Sequence, residues 1–156
     1  MDRMESRFSD IGKGPFEAIA ILGVTASGKS EIAANLAEYP GGAIISCDSR
    51  QVYRGMNLGT AKPSPFFLQK IPHYLIDVVN PGEGFNNVDY VRMVENVLLL
   101  LRKKKTRPLF CGGTGLYFEA LIRGYFSESC CNATLAKELE EKWDSGGELD
   151  LYSQLG

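Results

Sequence analysis

The chain has 156 residues and a formal net charge of −2, from 17 Lys+Arg against 19 Asp+Glu. Hydrophobic residues make up 44% and charged residues 23%, the balance of an ordinary globular domain, which excludes a wholly disordered chain. A nucleic-acid partner must therefore be met by a local basic patch, because the field of the whole molecule is not basic. The apolar run from Val97 to Leu101 is far short of the ~20 residues that cross a bilayer. No membrane association is expected. No apolar segment follows the start, so no secretory signal is expected either, and the setting is read as cytoplasmic.

Residues 1–15 are polar and aperiodic and read as a flexible leader. The short apolar run over 16–22, FEAIAIL, ended by Gly23, predicts a buried strand. A helix is predicted over 29–39, with Ile32, Ala33, Leu36 and Ala37 at helical spacing and Pro40-Gly41-Gly42 as its stop. A second strand is predicted over 43–46, then a functional loop or broken helix over 49–64. HYLIDVV, 73–79, is the third strand. Asn87 can cap a helix running to about Lys104, with Val91, Val94, Leu98 and Leu101 on one face. Its basic end, 103–105, suits the C-terminal macrodipole. A fourth strand is predicted over 108–111, then helices over 114–123 and 133–143. Strands alternating with helices imply an α/β fold with a parallel sheet flanked by helices.

Four cysteines, Cys47, Cys111, Cys130 and Cys131, form no C-x-x-C pair, and the lone His73 supplies no metal cluster. Cys47 and Cys111 each end an apolar run, as small buried hydrophobes do. The strongest local signal is Gly23-Val24-Thr25-Ala26-Ser27-Gly28-Lys29-Ser30, which fits G-x-x-x-x-G-K-S/T between a predicted strand and a predicted helix. Glycines let backbone N–H groups converge on an anion, and the helix N-terminus adds donors and partial positive charge. Lys29 supplies a point charge, and the Ser30 hydroxyl is placed to ligate Mg²⁺. A di- or triphosphate is expected there. The loop alone does not name the reaction.

Two other strand ends carry chemistry at the edge where open α/β sheets bind ligands. Asp48-Ser49-Arg50-Gln51 follows the second strand, and Gly112-Gly113-Thr114 follows the fourth. Each reads equally well as an ordinary turn. Asp77 could instead be the metal-associated acid of a phosphate-loop protein.

GVTASGKS, then DSRQVYRGMNLGTAKP over 48–63, IPHYLID over 71–77 and GGTGLYFEAL over 112–121 occur in this order and spacing. Together they closely resemble the tRNA dimethylallyltransferase (tRNA isopentenyltransferase) family, over roughly 18–156. The resemblance implies a P-loop-type core over 16–130, then over 131–156 the start of a helical tRNA-binding insertion. It implies transfer of a dimethylallyl group from dimethylallyl diphosphate to N6 of the adenosine 3′ of the anticodon in tRNA. By that resemblance, residues 23–30 hold the diphosphate, and Thr25 matches a diphosphate-side position and counts with Asp48 as catalytic. Asp48 matches the catalytic aspartate that takes or orients the N6 proton. Ser49, Arg50, Gln51 and Thr114, with Asp48, match contacts to the tRNA anticodon stem-loop. Arg50, Arg54 and Lys62 form one local basic patch in sequence.

There are departures. Val24 stands where the family usually has proline, and Ala136, beside Lys137, falls where many members carry a tRNA-contacting arginine. Family members run to about twice this length, and their later portion supplies a further arginine to the diphosphate. The resemblance therefore implies a truncated form with weak or no activity alone. It also implies an apolar face left open near the 91–101 helix and the 108–111 strand. Two other readings share the loop: an ATP-binding, small-molecule or nucleotide kinase, and a non-catalytic nucleotide-binding remnant. The order of DSRQVYRG and GTAKP argues against the kinase.

Overall fold

The computed structural model describes residues 17–38, 41–124, 133–146 and 153. The predicted leader lies outside them. The chain forms two units, 1–125 and 126–156. In the first, β1 (Ile19–Leu22), α1 (Lys29–Glu38), β2 (Gly42–Ser46), α2 (Pro65–Lys70), β3 (His73–Tyr74), α3 (Asn87–Lys103), β4 (Arg107–Gly112) and α4 (Gly115–Arg123) alternate along the chain. The strands form one sheet in the order β1-β4-β2-β3, and every pairing is parallel. This is the predicted α/β class. Register places Leu22 beside Gly112 and Ser46 beside Cys111, so the turns that follow β1, β2 and β4 emerge level at one edge.

Period-2 alternation divides the core between the two faces. Ala43, Ile45, Cys47 and Phe110 face α3 and α4, packing on Tyr90, Val94 and Leu98. Ile44 and Leu109 face α1, against Ala33, Ala34 and Ala37. β2 is buried at all five positions, as a strand covered on both faces must be. Gly112 is required by close approach: a Cβ there would overlap the Cys47 carbonyl group. That contact sets the end of β4 directly against the residue before Asp48.

Four expectations are corrected. Asn86, not Asn87, caps α3. Its side chain accepts from the Val88 and Asp89 N–H groups, and the Asp89 carboxylate accepts from the Asn86 N–H. The acid three residues on decides between the adjacent asparagines. The third strand stops at Tyr74, because Leu75 (φ 63°) and Asp77 (φ 55°) take left-handed conformations that no strand accommodates. Val79 rejoins only as an isolated bridge to Tyr53. On α1 the buried stripe is Ala33, Ala34 and Ala37, while Ile32 is 52% exposed and Leu36 is exposed too. The face expected to lie open near α3 and β4 is covered: Val91, Val94, Leu98 and Leu101 are buried, as are Pro108, Leu109 and Phe110. The exposed apolar positions are spread over several elements: Leu22 and α1's Ile32 and Leu36, Leu99 and Leu100 on the outer side of α3, and Leu116 and Ile122 on α4.

The second unit contributes α5 (Ala133–Asp144), with a Lys137–Glu141 pair at 3.8 Å and exposed Leu139 and Trp143. Among the described residues no helix is long and apolar enough to cross a membrane.

Candidate active site

β1 runs into the turn at 23–30, and Gly23 N–H donates to the Gly112 carbonyl at 3.3 Å, seating the turn on β4. Ala26 (φ 64°) and Gly28 (φ 79°) are both left-handed, which reverses the chain within two residues and opens α1 at Lys29. Ser27 Oγ donates to the Val24 carbonyl at 2.9 Å. The Lys29 ammonium folds back over the turn onto the Val24 carbonyl and Ser27 Oγ. All of its bonds are therefore local, and it sits at the mouth of the turn. Val24 is exposed, so the absence of proline there leaves the turn's packing unaffected.

A cavity of about 500 Å³ opens beside this turn. Thr25, Ala26, Lys29 and Ser30 line it from the loop, Asp48 and Gln51 from the end of β2, and Gly112 and Gly113 from the end of β4. Gly23, Val24, Ser27 and Gly28 shape the turn without lining the cavity. Burial pushes the Cys111 thiol up, and Lys29 and Ser30 pull it back.

Asp48 follows β2 and is half-buried. Its Oδ1 accepts from the Arg50 N–H at 2.9 Å and the Gln51 N–H at 3.4 Å, which fixes the carboxylate over its own turn. Gln51 is committed to the fold: Ser46 Oγ donates to Oε1 at 2.9 Å, and Nε2 donates to the Ala61 and Thr60 carbonyls at 3.0 and 3.4 Å. Ser49 N–H donates to Thr114 Oγ1 at 2.9 Å, and the two hydroxyls lie 3.3 Å apart. Thr114 N–H in turn donates to the Cys47 carbonyl. The fold thus brings the loop, Asp48, Ser49 and Thr114 to one edge from three strand ends. The Arg50 side chain is exposed and faces a second, shallower depression with Tyr53, Met56 and Glu83.

Asp77, the alternative acid, does not line this cavity. It pairs with Lys62 at 2.7 Å. The Lys62 side chain is only 5% exposed, and its ammonium also donates to the Tyr53 carbonyl at 2.5 Å and reaches Asn57 Oδ1 at 3.4 Å. Lys62 therefore leaves the predicted basic patch: its charge is spent inside the loop. Arg54 is anchored by the Asp77 carbonyl and Asn80. Sequence reasoning missed this clamp. The one signal was an isolated lysine and an isolated aspartate flanking an aperiodic stretch.

Cys47 is buried as expected. Its sulfur lies 2.8 Å from the Tyr90 hydroxyl, and Tyr90 stacks on Tyr117 at 4.4 Å. Burial pushes the Cys47 thiol up to about 12. It is an inert support beneath Asp48. Among the described residues no group of three or more His, Cys, Asp or Glu could hold a metal.

A parallel sheet whose first strand enters a glycine-lysine-serine turn, with further turns converging at the same edge, defines the P-loop class. Within it, a family model described as IPP transferase matches residues 51–156, and the chain belongs to that family. It is 44% identical over 137 residues to a tRNA dimethylallyltransferase of Geobacter sulfurreducens, and 41% identical over 137 residues to one of Halorhodospira halophila. Each match covers 88% of this chain and 44% of the relative. The fold superposes on the tRNA isopentenylpyrophosphate transferase of Bacillus halodurans with a TM-score of 0.70 and 34% identity, covering 90% of this chain and 47% of that one. A eukaryotic dimethylallyltransferase captured acting on tRNA gives 0.67 and 27%, covering 70% of this chain and 27% of that one. The chain thus spans about half the length of the curated relatives it matches.

Proposed function

We propose that this chain supplies the catalytic core for transfer of a dimethylallyl group from dimethylallyl diphosphate to N6 of the adenosine 3′ of the anticodon in tRNA. One observation carries the reading: a single cavity is lined by the 23–30 turn and by Asp48. Leaving group and nucleophile then meet at one sheet edge. The N6 lone pair attacks C1 of the dimethylallyl group, the C1–O bond breaks, and pyrophosphate departs. The Asp48 carboxylate accepts the proton that N6 loses. Lys29 and the turn's N–H groups stabilise charge developing on pyrophosphate, with Thr25 lining the same end.

The donor chemistry suits Mg²⁺ held chiefly by the diphosphate. Ser30 offers a hard hydroxyl oxygen to the cavity, and Mg²⁺ commonly takes one or two protein ligands plus phosphate oxygens. When bound, the ion would offset negative charge on the leaving group. Ser49 and Thr114 face the tRNA as a hydrogen-bonded pair, and exposed Arg50 supplies a cation beside them. Gln51 supports the acceptor side by bridging Ser46 to the 60–61 backbone.

Calorimetric titration of pyrophosphate in magnesium buffer tests the cradle. Wild type should bind, and Lys29→Ala should lose most of the affinity. Equal affinities would refute the assignment. A chain that also moves phosphate from ATP to a small acceptor would establish the kinase reading instead.

A further inference from the structure

Two lysines line the cavity, and they are used differently. Lys29 stands at the mouth of the 23–30 turn, with bonds only to that turn. Lys62 lines the wall formed by residues 61–64. Its side chain is only 5% exposed, and its ammonium donates to Asp77 Oδ1 at 2.7 Å, to the Tyr53 carbonyl at 2.5 Å and to Asn57 Oδ1 at 3.4 Å. An ammonium has three donors, so none is left for a ligand. None of the three acceptors lines the cavity. The charge is drawn behind the wall that its own residue helps to form.

The backbone is bent to achieve this. Among the described residues five other than glycine take left-handed conformations, and three of them surround the clamp: Ala61 (φ 50°), Leu75 (φ 63°) and Asp77 (φ 55°). Such conformations persist only where the surrounding structure over-determines them, and they gather at functional sites. Here the surroundings are specific. The Asp77 N–H donates to the Gln51 carbonyl at 3.0 Å, and the Asp77 carbonyl accepts from Arg54 Nε at 2.8 Å. Gln51 Nε2 holds the Ala61 carbonyl at 3.0 Å. Ile76 lines the cavity while Asp77, one residue on, does not. The turn therefore brings the carboxylate to Lys62 from outside the ligand space.

We propose that Asp77 is a positioning residue that holds the Lys62 ammonium out of the cavity, so that a bound diphosphate meets Lys29 without a second lysine charge. The proposal rests on reading residues 23–30 as a diphosphate cradle. A second free ammonium would grip substrate diphosphate and product pyrophosphate alike. Such uniform binding adds nothing at the transition state, and it slows release of the product. The Lys62–Asp77 pair is neutral as a unit, and with 2.7 Å between its charges the two largely cancel in the cavity. Removing the carboxylate leaves an uncompensated positive charge in the wall, and removing the lysine leaves a negative one behind it. The two substitutions therefore move anion affinity in opposite directions, whereas structural damage lowers it in both.

Calorimetric titration of inorganic pyrophosphate, in magnesium buffer, into the whole chain tests this, with circular dichroism checking that each variant is folded. Asp77→Asn should bind pyrophosphate at least fivefold more tightly than wild type, a gain that structural damage does not produce. Lys62→Met should bind it more weakly, by no more than threefold, and the double variant should return to within twofold of wild type. A folded Asp77→Asn chain that binds no more tightly than wild type overturns the proposal, as does a gain that survives in the double variant. A loss deeper than threefold in Lys62→Met also overturns it, because Lys62 would then be a phosphate ligand. If Asp77→Asn does not fold, Lys62→Met decides: a loss within threefold supports the proposal and a deeper one overturns it. In each of these cases wild-type binding leaves the cradle standing. Wild type that binds no pyrophosphate refutes the cradle itself, and the role of Asp77 falls with it.

Discussion

Thr114 Oγ1 accepts a hydrogen bond from the Ser49 N–H at 2.9 Å, joining residues 65 positions apart. The bond fastens the turn after β2 to the start of α4. Thr114 stands at the N-cap position of α4 yet makes no capping bond, so its hydroxyl is diverted from the helix to the site. Thr114→Val removes the acceptor at constant shape. We expect a loss of about 1 kcal/mol, read as a melting temperature lowered by about 3 °C. Thr114→Ser should restore most of it. A Thr114→Val melting curve that overlays wild type would show that the bond does not hold the turn.

The Lys62–Asp77 pair is asymmetric, with side chains 5% and 41% exposed. Removing either partner should therefore have unequal effects. Asp77→Asn leaves a buried ammonium without its counter-charge and should cost roughly 3 kcal/mol. Lys62→Met leaves a carboxylate that water can reach and should cost about 1 kcal/mol. Urea midpoints of the two variants measure the difference. The reverse order would show that Asp77 depends on Lys62 more than Lys62 on Asp77.

Much of this site was legible beforehand, and the reasons are local. Residues 23–30 carry their geometry in their own sequence, because the left-handed turn and the helix start lie within eight positions. The ends of β1, β2 and β4 were legible from short apolar runs to within a residue, and parallel pairing followed from alternation. The clamp was not legible, because Lys62 and Asp77 meet only after the strand at 73–79 breaks at Leu75, and no periodicity announces a left-handed leucine. Ala33 reads only as one position of an apolar helical stripe, and Ala34 carries no signal of its own. Only the sheet behind them shows that their small size shapes a cavity.

Alkaline stability follows from the buried tier beneath Asp48. Burial raises Cys47 from 9.0 to about 12 and Tyr117 from 10.0 to about 12, and Tyr90 is raised as well. These acids ionise more readily in the unfolded chain, which above pH 9 binds fewer protons than the native one. Stability must therefore fall as pH rises from 9 towards 12. The part of the tyrosinate absorbance that belongs to Tyr90 and Tyr117, read as the loss caused by replacing each with Phe, should appear only as the circular dichroism is lost. Full tyrosine titration near pH 10 with the fold intact would contradict the burial of Tyr90 and Tyr117. The same burial should keep Cys47 unreactive to iodoacetamide in the native state at pH 8.

Asp48→Asn keeps the oxygen that receives the Arg50 and Gln51 N–H groups but removes the base. Residues 17–124 can be grafted into the Geobacter sulfurreducens relative, giving a chimera of full family length. There Asp48→Asn should lower kcat by about 10²-fold or more, with pyrophosphate affinity unchanged. A loss confined to KM would make Asp48 a substrate-positioning group with no part in proton transfer.

The most direct measurement is label transfer by that chimera, from radiolabelled dimethylallyl diphosphate to unmodified tRNA. The label should appear on the adenosine 3′ of the anticodon, and Lys29→Ala and Asp48→Asn should each suppress it. A folded chimera that binds tRNA and pyrophosphate yet transfers no label, or one whose transfer survives both substitutions, would contradict the assignment of this cavity as the transfer site.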